Sequence, residues 1–155
     1  MSVKMLVMDV DGTLTDGRIY MGGSGEVMKA FDVKDGYGIV SLHKQGIIPV
    51  IITGRQSDIV RYRAKELGIA EIHQGINNKL EKLKELEKKY ACIPDEIAYI
   101  GDDLNDIDCI QYCGVSGCPS DAVEEVKNVA EYICENKGGK GAVREFAIYL
   151  LENKK

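Results

Sequence analysis

Nothing in the 155 residues is paired in the way that a structural metal or a disulfide framework requires. The five cysteines (Cys92, Cys109, Cys113, Cys118, Cys134) are odd in number and include no C-x-x-C, and the two histidines, His43 and His73, stand alone. Zinc sites and cross-linked scaffolds need tighter, paired spacing, so these thiols are expected to be buried or idle in a reducing cytosol. Positive charge is also short. A net charge of −5 removes nucleic acid and anionic membrane surfaces as partners. No apolar run approaches membrane-spanning length, and Met1-Ser2-Val3-Lys4 leads into a strand-like stretch rather than a signal peptide. The expected location is therefore cytoplasmic. No G-x-x-x-x-G-K-[S/T] occurs, which removes a phosphate-binding-loop NTPase. Without a linker, repeat or low-complexity tract, residues 1–155 read as a single domain, long enough to bury a core unaided.

What is present is an alternation of short apolar runs with amphipathic stretches. Residues 3–10, 47–53, 71–74 and 97–100 read as strands, with further short strands near Val115 and Tyr132. Between them lie expected helices over 35–45, from Ser57 or Asp58 to Gly68, over 76–90, up to Tyr112, from Asp121, and over 142–151. Residues 16–32 look like a β-hairpin turning at Gly22-Gly23-Ser24-Gly25. The fold class is α/β, with a mostly parallel sheet between helices. Ligands bind such sheets beyond the carboxyl ends of the strands, which is where Asp9, Asp11, Thr53 and Asp102 fall.

Asp9-Val10-Asp11-Gly12-Thr13 closes the first strand with two acids, whose mutual repulsion a divalent cation or a shared proton would relieve. Asp and Gly also make ordinary turns. A second acid cluster, Gly101-Asp102-Asp103-Leu104-Asn105-Asp106 with Asp108 behind it, exceeds what an N-capped helix needs. Hard oxygen ligands from two strand ends suit Mg²⁺. Thr53-Gly54-Arg55 puts a hydroxyl and a helix start at a third strand end, a favourable place for an anion. Lys79, in a lysine-rich helix, carries no signal by itself.

Together and in this order, these elements resemble the four motifs of the haloacid dehalogenase phosphatases: Asp9 to Leu14, Thr53, Lys79, and Gly101 to Asp106. Asp16-Gly17-Arg18-Ile19-Tyr20, Phe31 to Gly38 and Gly138 to Glu145 are further similar to the capless subfamily that contains 3-deoxy-D-manno-octulosonate 8-phosphate phosphatases. The resemblance implies a Rossmann-like core with a hairpin flap over about 16–32 and no cap domain. It also implies a homotetramer in which neighbours close each active site, and a glycine loop at 137–141 that helps to do so. Asp9 would attack phosphorus, Asp11 would serve as acid and then base, and Thr53 and Lys79 would hold the phosphoryl oxygens. Mg²⁺ would rest on Asp9, the carbonyl of Asp11, and Asp102, with Asp106 orienting a water. Substrate contacts carry over to Asp11, Asp32, Val33, Lys34, Asp35, Gly36, Gly54, Arg55, Arg63 and Lys79. Arg55 and Arg63 are expected to grip a sugar-acid carboxylate together.

Val40 stands where the octulosonate enzymes are expected to carry arginine. Nonulosonate 9-phosphate phosphatases usually have glutamate at the position of Arg55, so Arg55 favours the eight-carbon acid. Two rivals remain. Phosphatase-like assembly domains share Cys134 and Gly138 to Phe146, but Asp9 and Asp11 together speak for catalysis. A receiver domain would carry its phosphorylated aspartate on a middle strand, where this chain has Thr53.

Overall fold

The computed structural model describes residues 2–153. Six strands form one sheet: β1 (Met5–Met8), β4 (Ile48–Ile52), β5 (Glu71–His73), β6 (Ile97–Ile100), β7 (Val115–Cys118) and β8 (Tyr132–Ile133), in the order β5-β4-β1-β6-β7-β8. Every pairing among them is parallel. The chain runs outward from β1 through β4 to β5, then crosses back to β6 on the other side of β1. That reversal opens a crevice at the carboxyl ends of β1 and β6, the place where open α/β sheets take ligands.

The alternation of side chains along each strand divides the core in two. Leu6, Met8 and Ile51 face one side and pack with Ile39, Leu42, Val60 and Phe146. These come from α1 (Val33–Lys44), α2 (Asp58–Glu66) and α6 (Ala142–Glu152). Met5, Val7, Val50 and Ile52 face the other side and pack with Leu83, Leu86, Cys109 and Val126, from α3 (Lys79–Lys89), α4 (Ile107–Tyr112) and α5 (Glu124–Lys127). β1 is buried at all four positions, as a parallel strand covered on both faces must be.

Several boundaries differ from the sequence reading, each for a local reason. The helix expected from Ile76 begins at Lys79, because the Asn78 side chain accepts from the Glu81 backbone N–H and caps it there. The first helix begins two residues early, capped by Asp32 through the Lys34 N–H at 2.7 Å. The helix expected from Asp121 shrinks to Glu124–Lys127. The hairpin forms a separate two-stranded sheet, β2 (Tyr20–Gly22) with β3 (Gly25–Met28), with Gly23 and Ser24 at its tip. Four of the five cysteines are buried and all five are free. No helix of the described residues is long and apolar enough to cross a membrane.

Candidate active site

Asp9 is the first residue beyond β1, and its N–H donates to the Ile100 carbonyl at 3.1 Å, tying the ends of β1 and β6 together. The chain then folds back sharply: the N–H groups of Thr13, Leu14 and Thr15 all converge on the Val10 carbonyl. Gly12, at φ +91°, makes this turn possible. A Cβ there would lie 2.0 Å from Oδ2 of Asp102, so the missing side chain is the space the second acid occupies. Thr13 Oγ1 fixes that acid from the other side, donating to Asp102 Oδ1 at 2.9 Å.

Lys79, the first residue of α3, is only 3% exposed. Its Nζ lies 2.8 Å from Asp9 Oδ1 and 2.9 Å from Asp106 Oδ1. A lysine at a helix N-terminus opposes the helix dipole, so these two buried carboxylates are what hold it there. The far end of α3 is also tied down: Lys89 and Tyr90 both donate to Glu71 on the edge strand β5. Asp106 is fully buried and meets four donors. Lys79 and the Tyr99 hydroxyl (2.6 Å) reach Oδ1, and the N–H groups of Asp102 (2.9 Å) and Asp103 (3.1 Å) reach Oδ2. A carboxylate offers about four lone-pair sites, and here all are used.

Oxygen atoms of Asp9, Asp102 and Asp106 lie within 4.8 Å of one another. Burial, then the charge of Asp106, holds the Asp9 carboxyl above the usual range despite Lys79. Burial, then the charge of Asp9, pushes Asp102 up as well. For Lys79, burial works to lower the pKa, but the charges of Asp9 and Asp106 outweigh it and the ammonium is retained. Two neighbouring acids whose ionisation is resisted by burial and by nearby carboxylate charge are a fitting seat for a hard divalent cation, which would supply the missing positive charge. Asp9 and Asp102 fit that ligand role, whereas Asp106 has its oxygens engaged elsewhere.

A cleft of about 190 Å³ above these residues is lined by Asp9, Asp11, Thr53, Gly54, Arg55, Asp103 and Asn105. Asn105 and Asp103 were not singled out from the sequence as site residues, since each is one polar residue in an acid-rich run. Lys29 and Glu26 were also missed. Lys29 Nζ contacts Asp11 Oδ1 at 2.6 Å and Glu26 Oε2 at 3.0 Å. No pattern in the hairpin sequence marks either of them.

The expected substrate contacts divide into two groups. Asp11, Gly54 and Arg55 line the cleft with Asp9, and Lys79 lies beneath it, on Asp9. Asp32, Asp35, Gly36 and Arg63 line a different, small cavity with Phe31. Arg55 and Arg63, expected to act together, line different cavities of the chain. Arg55 sits on the loop at the end of β4, while Arg63 packs over the Phe31 ring at 5.7 Å. Asp35 is buried and accepts from the Arg144 N–H at 3.0 Å, and burial raises its pKa to about 6. Val33, by contrast, is 80% exposed. The glycine loop packs on its own chain, against the turn after β1. Gly139 N donates to the Thr13 carbonyl at 3.0 Å, and a Cβ on Gly138 would come within 1.9 Å of the Gly12 carbonyl oxygen.

Comparison with known proteins gives a consistent picture. A family model described as haloacid dehalogenase-like hydrolase matches residues 57–146. The 3-deoxy-D-manno-octulosonate 8-phosphate phosphatase of Salmonella typhi is 43% identical over 150 residues, covering 97% of this chain and 80% of that protein. The enzyme of the same name from Moraxella catarrhalis, crystallised with magnesium, phosphate and KDO, superposes with a TM-score of 0.94 at 44% identity, covering 97% of this chain and 86% of that one. A cobalt-bound phosphatase from Haemophilus influenzae superposes at 0.95 with 37% identity, over 97% of this chain and 88% of that one.

Proposed function

The chain belongs to the haloacid dehalogenase-like hydrolases, and from that premise we propose that it is a Mg²⁺-dependent phosphatase of 3-deoxy-D-manno-octulosonate 8-phosphate. The observation that carries this reading is that Asp102 and Lys79, from two other stretches of chain, both meet Asp9, which lines the cleft with Asp11 and Thr53. Relatives of that name and activity cover nearly all of the chain.

In the proposed reaction, an Asp9 carboxylate oxygen attacks phosphorus in line and the P–O bond to the sugar acid breaks. Asp11 gives its proton to the departing alkoxide. Water then attacks phosphorus with Asp11 accepting a proton, and Asp9 is regenerated as phosphate leaves. Thr53 and Lys79 hold the phosphoryl oxygens, where fixed donors act on developing charge. When bound, Mg²⁺ neutralises charge between nucleophile and phosphate. Asp106, with its four donors, holds Lys79 and the 102–103 backbone in place. Arg55, which lines the cleft, would meet the substrate carboxylate.

The test is a panel of octulosonate 8-phosphate, nonulosonate 9-phosphates and simple sugar phosphates, each with Mg²⁺ and with EDTA. The highest kcat/KM is expected for octulosonate 8-phosphate, and EDTA should abolish it. A preference for a nonulosonate 9-phosphate would replace the substrate, and no Mg²⁺-dependent turnover of any ester would remove the enzyme.

We further propose that this single catalytic domain, with its hairpin as a flap, assembles as a homotetramer. Met21, Val27 and Met28 on the hairpin are more than half exposed, as are Val33, Tyr37 and Tyr62 nearby. So much uncovered apolar surface calls for a partner. In an assembly, Asp32, Val33, Lys34 and Arg63 would serve a neighbour's cleft rather than their own, whereas Asp35 and Gly36 are buried in their own chain. Light scattering should return four times the chain mass, and a monomer at micromolar concentration would overturn this.

A further inference from the structure

On the phosphatase reading just given, we propose that Lys29 is the positioning residue of Asp11, holding its carboxylate so that one oxygen is anchored and the other is free for proton transfer. The hairpin strand β3 ends at Met28, and Lys29 follows it directly. Strict alternation would put Glu26 and Lys29 on opposite faces, yet their charged ends meet at 3.0 Å because the strand has already stopped. The Lys29 side chain is 1% exposed, and its Nζ reaches Asp11 Oδ1 at 2.6 Å. Oδ2 of Asp11 is left toward the cleft, 4.0 Å from Arg55 Nε.

Lys29 is itself held. Glu26 Oε2 pairs with it, while Glu26 Oε1 accepts from the Ser57 hydroxyl at 2.7 Å. Ser57 is the N-cap of α2, its Oγ accepting from the Ile59 N–H at 3.2 Å. A chain of polar contacts thus runs from the α2 cap through Glu26 and Lys29 to Asp11. Lysine with four methylenes buried and its ammonium on two carboxylates has lost its rotamer freedom. It fixes the carboxylate in a way that a solvated lysine does not. Seating of the hairpin and placement of the proton donor become one event.

The test is a double-mutant cycle on kcat/KM for the preferred phosphate ester with Mg²⁺ present. Misplacing a reacting group by about 1 Å costs on the order of 10²-fold, and Lys29→Met should lower kcat/KM by about that factor. In an Asp11→Asn background the same substitution should change kcat/KM by no more than about twofold, because residues acting through one another are not additive. An equal loss in both backgrounds, or no loss in the wild type, overturns the proposal. Glu26 is left without its cation in Lys29→Met, so Lys29→Met/Glu26→Gln is measured beside it, with melting temperatures for all variants. If the folded double variant is non-additive with Asp11→Asn, the proposal holds even where the single variant unfolds. Wild-type turnover in the same assay separates this inference from the enzyme assignment: an inactive wild type defeats both, whereas additivity in an active enzyme defeats only the role of Lys29.

Discussion

Asp9→Asn is expected to lower turnover of the phosphate ester by roughly 10⁴-fold or more while leaving the melting temperature of the metal-free protein unchanged or raised. The first half follows from chemistry. An amide oxygen does not form the acyl phosphate, and the neighbouring carboxylates do not replace it. Asp106 is enclosed by its donors, and Asp102 is set back against Thr13 and Gly12. Of the two others that line the cleft, Asp11 is paired with Lys29 and Asp103 accepts from the Leu104 N–H. The second half follows from electrostatics. Burial and the charge of Asp106 already resist ionisation of Asp9, so removing that charge relieves repulsion with Asp102 and Asp106. An asparagine Oδ1 still accepts from Lys79. Rapid-quench assays for a phosphoenzyme and a thermal melt decide the matter. Retained turnover would show that the nucleophile lies elsewhere, and a large drop in melting temperature would show that the carboxylate is structural.

How far the sequence foretold this arrangement depends on whether a residue's role is local. Asp9, Thr53 and Asp102 fall just beyond apolar runs, and the rule that parallel sheets gather ligands at strand ends is enough to bring them together. The alternation of strands and helices likewise gives the layered fold, because each short apolar run is a β-strand buried on both faces. Lys79 is different. It is one lysine among many in a helix whose other lysines are solvated, and only the family resemblance picked it out. Its partners are 70 and 27 residues away in sequence. Lys29 was not found at all, since its role depends on where a strand stops, and Arg63 was paired with Arg55 although the two line different cavities. Roles set by tertiary closure leave no local periodicity to read.

Lys79→Met carries the other large effect, and it acts on stability as well as on rate. The methionine nearly matches the lysine stem in size but withdraws the ammonium that pairs with Asp9 and Asp106. Breaking a buried ion pair by removing one partner costs about 3–5 kcal/mol, and activity should vanish with the phosphoryl contact. The pH dependence identifies the cause. Lys79 is what pulls the Asp9 pKa down against burial, so in the variant that pKa rises still further above its unfolded value. A carboxyl with a raised folded pKa binds a proton more tightly in the native state. Stability is then present below the unfolded pKa of about 4 and is lost as pH rises through the folded value. The melting temperature of Lys79→Met should lie far below wild type at neutral pH, and the gap should narrow steadily on acidification toward pH 4. A gap that stays constant with pH would mean that the loss comes from packing, and that the ammonium is not what holds the carboxylates of this site together.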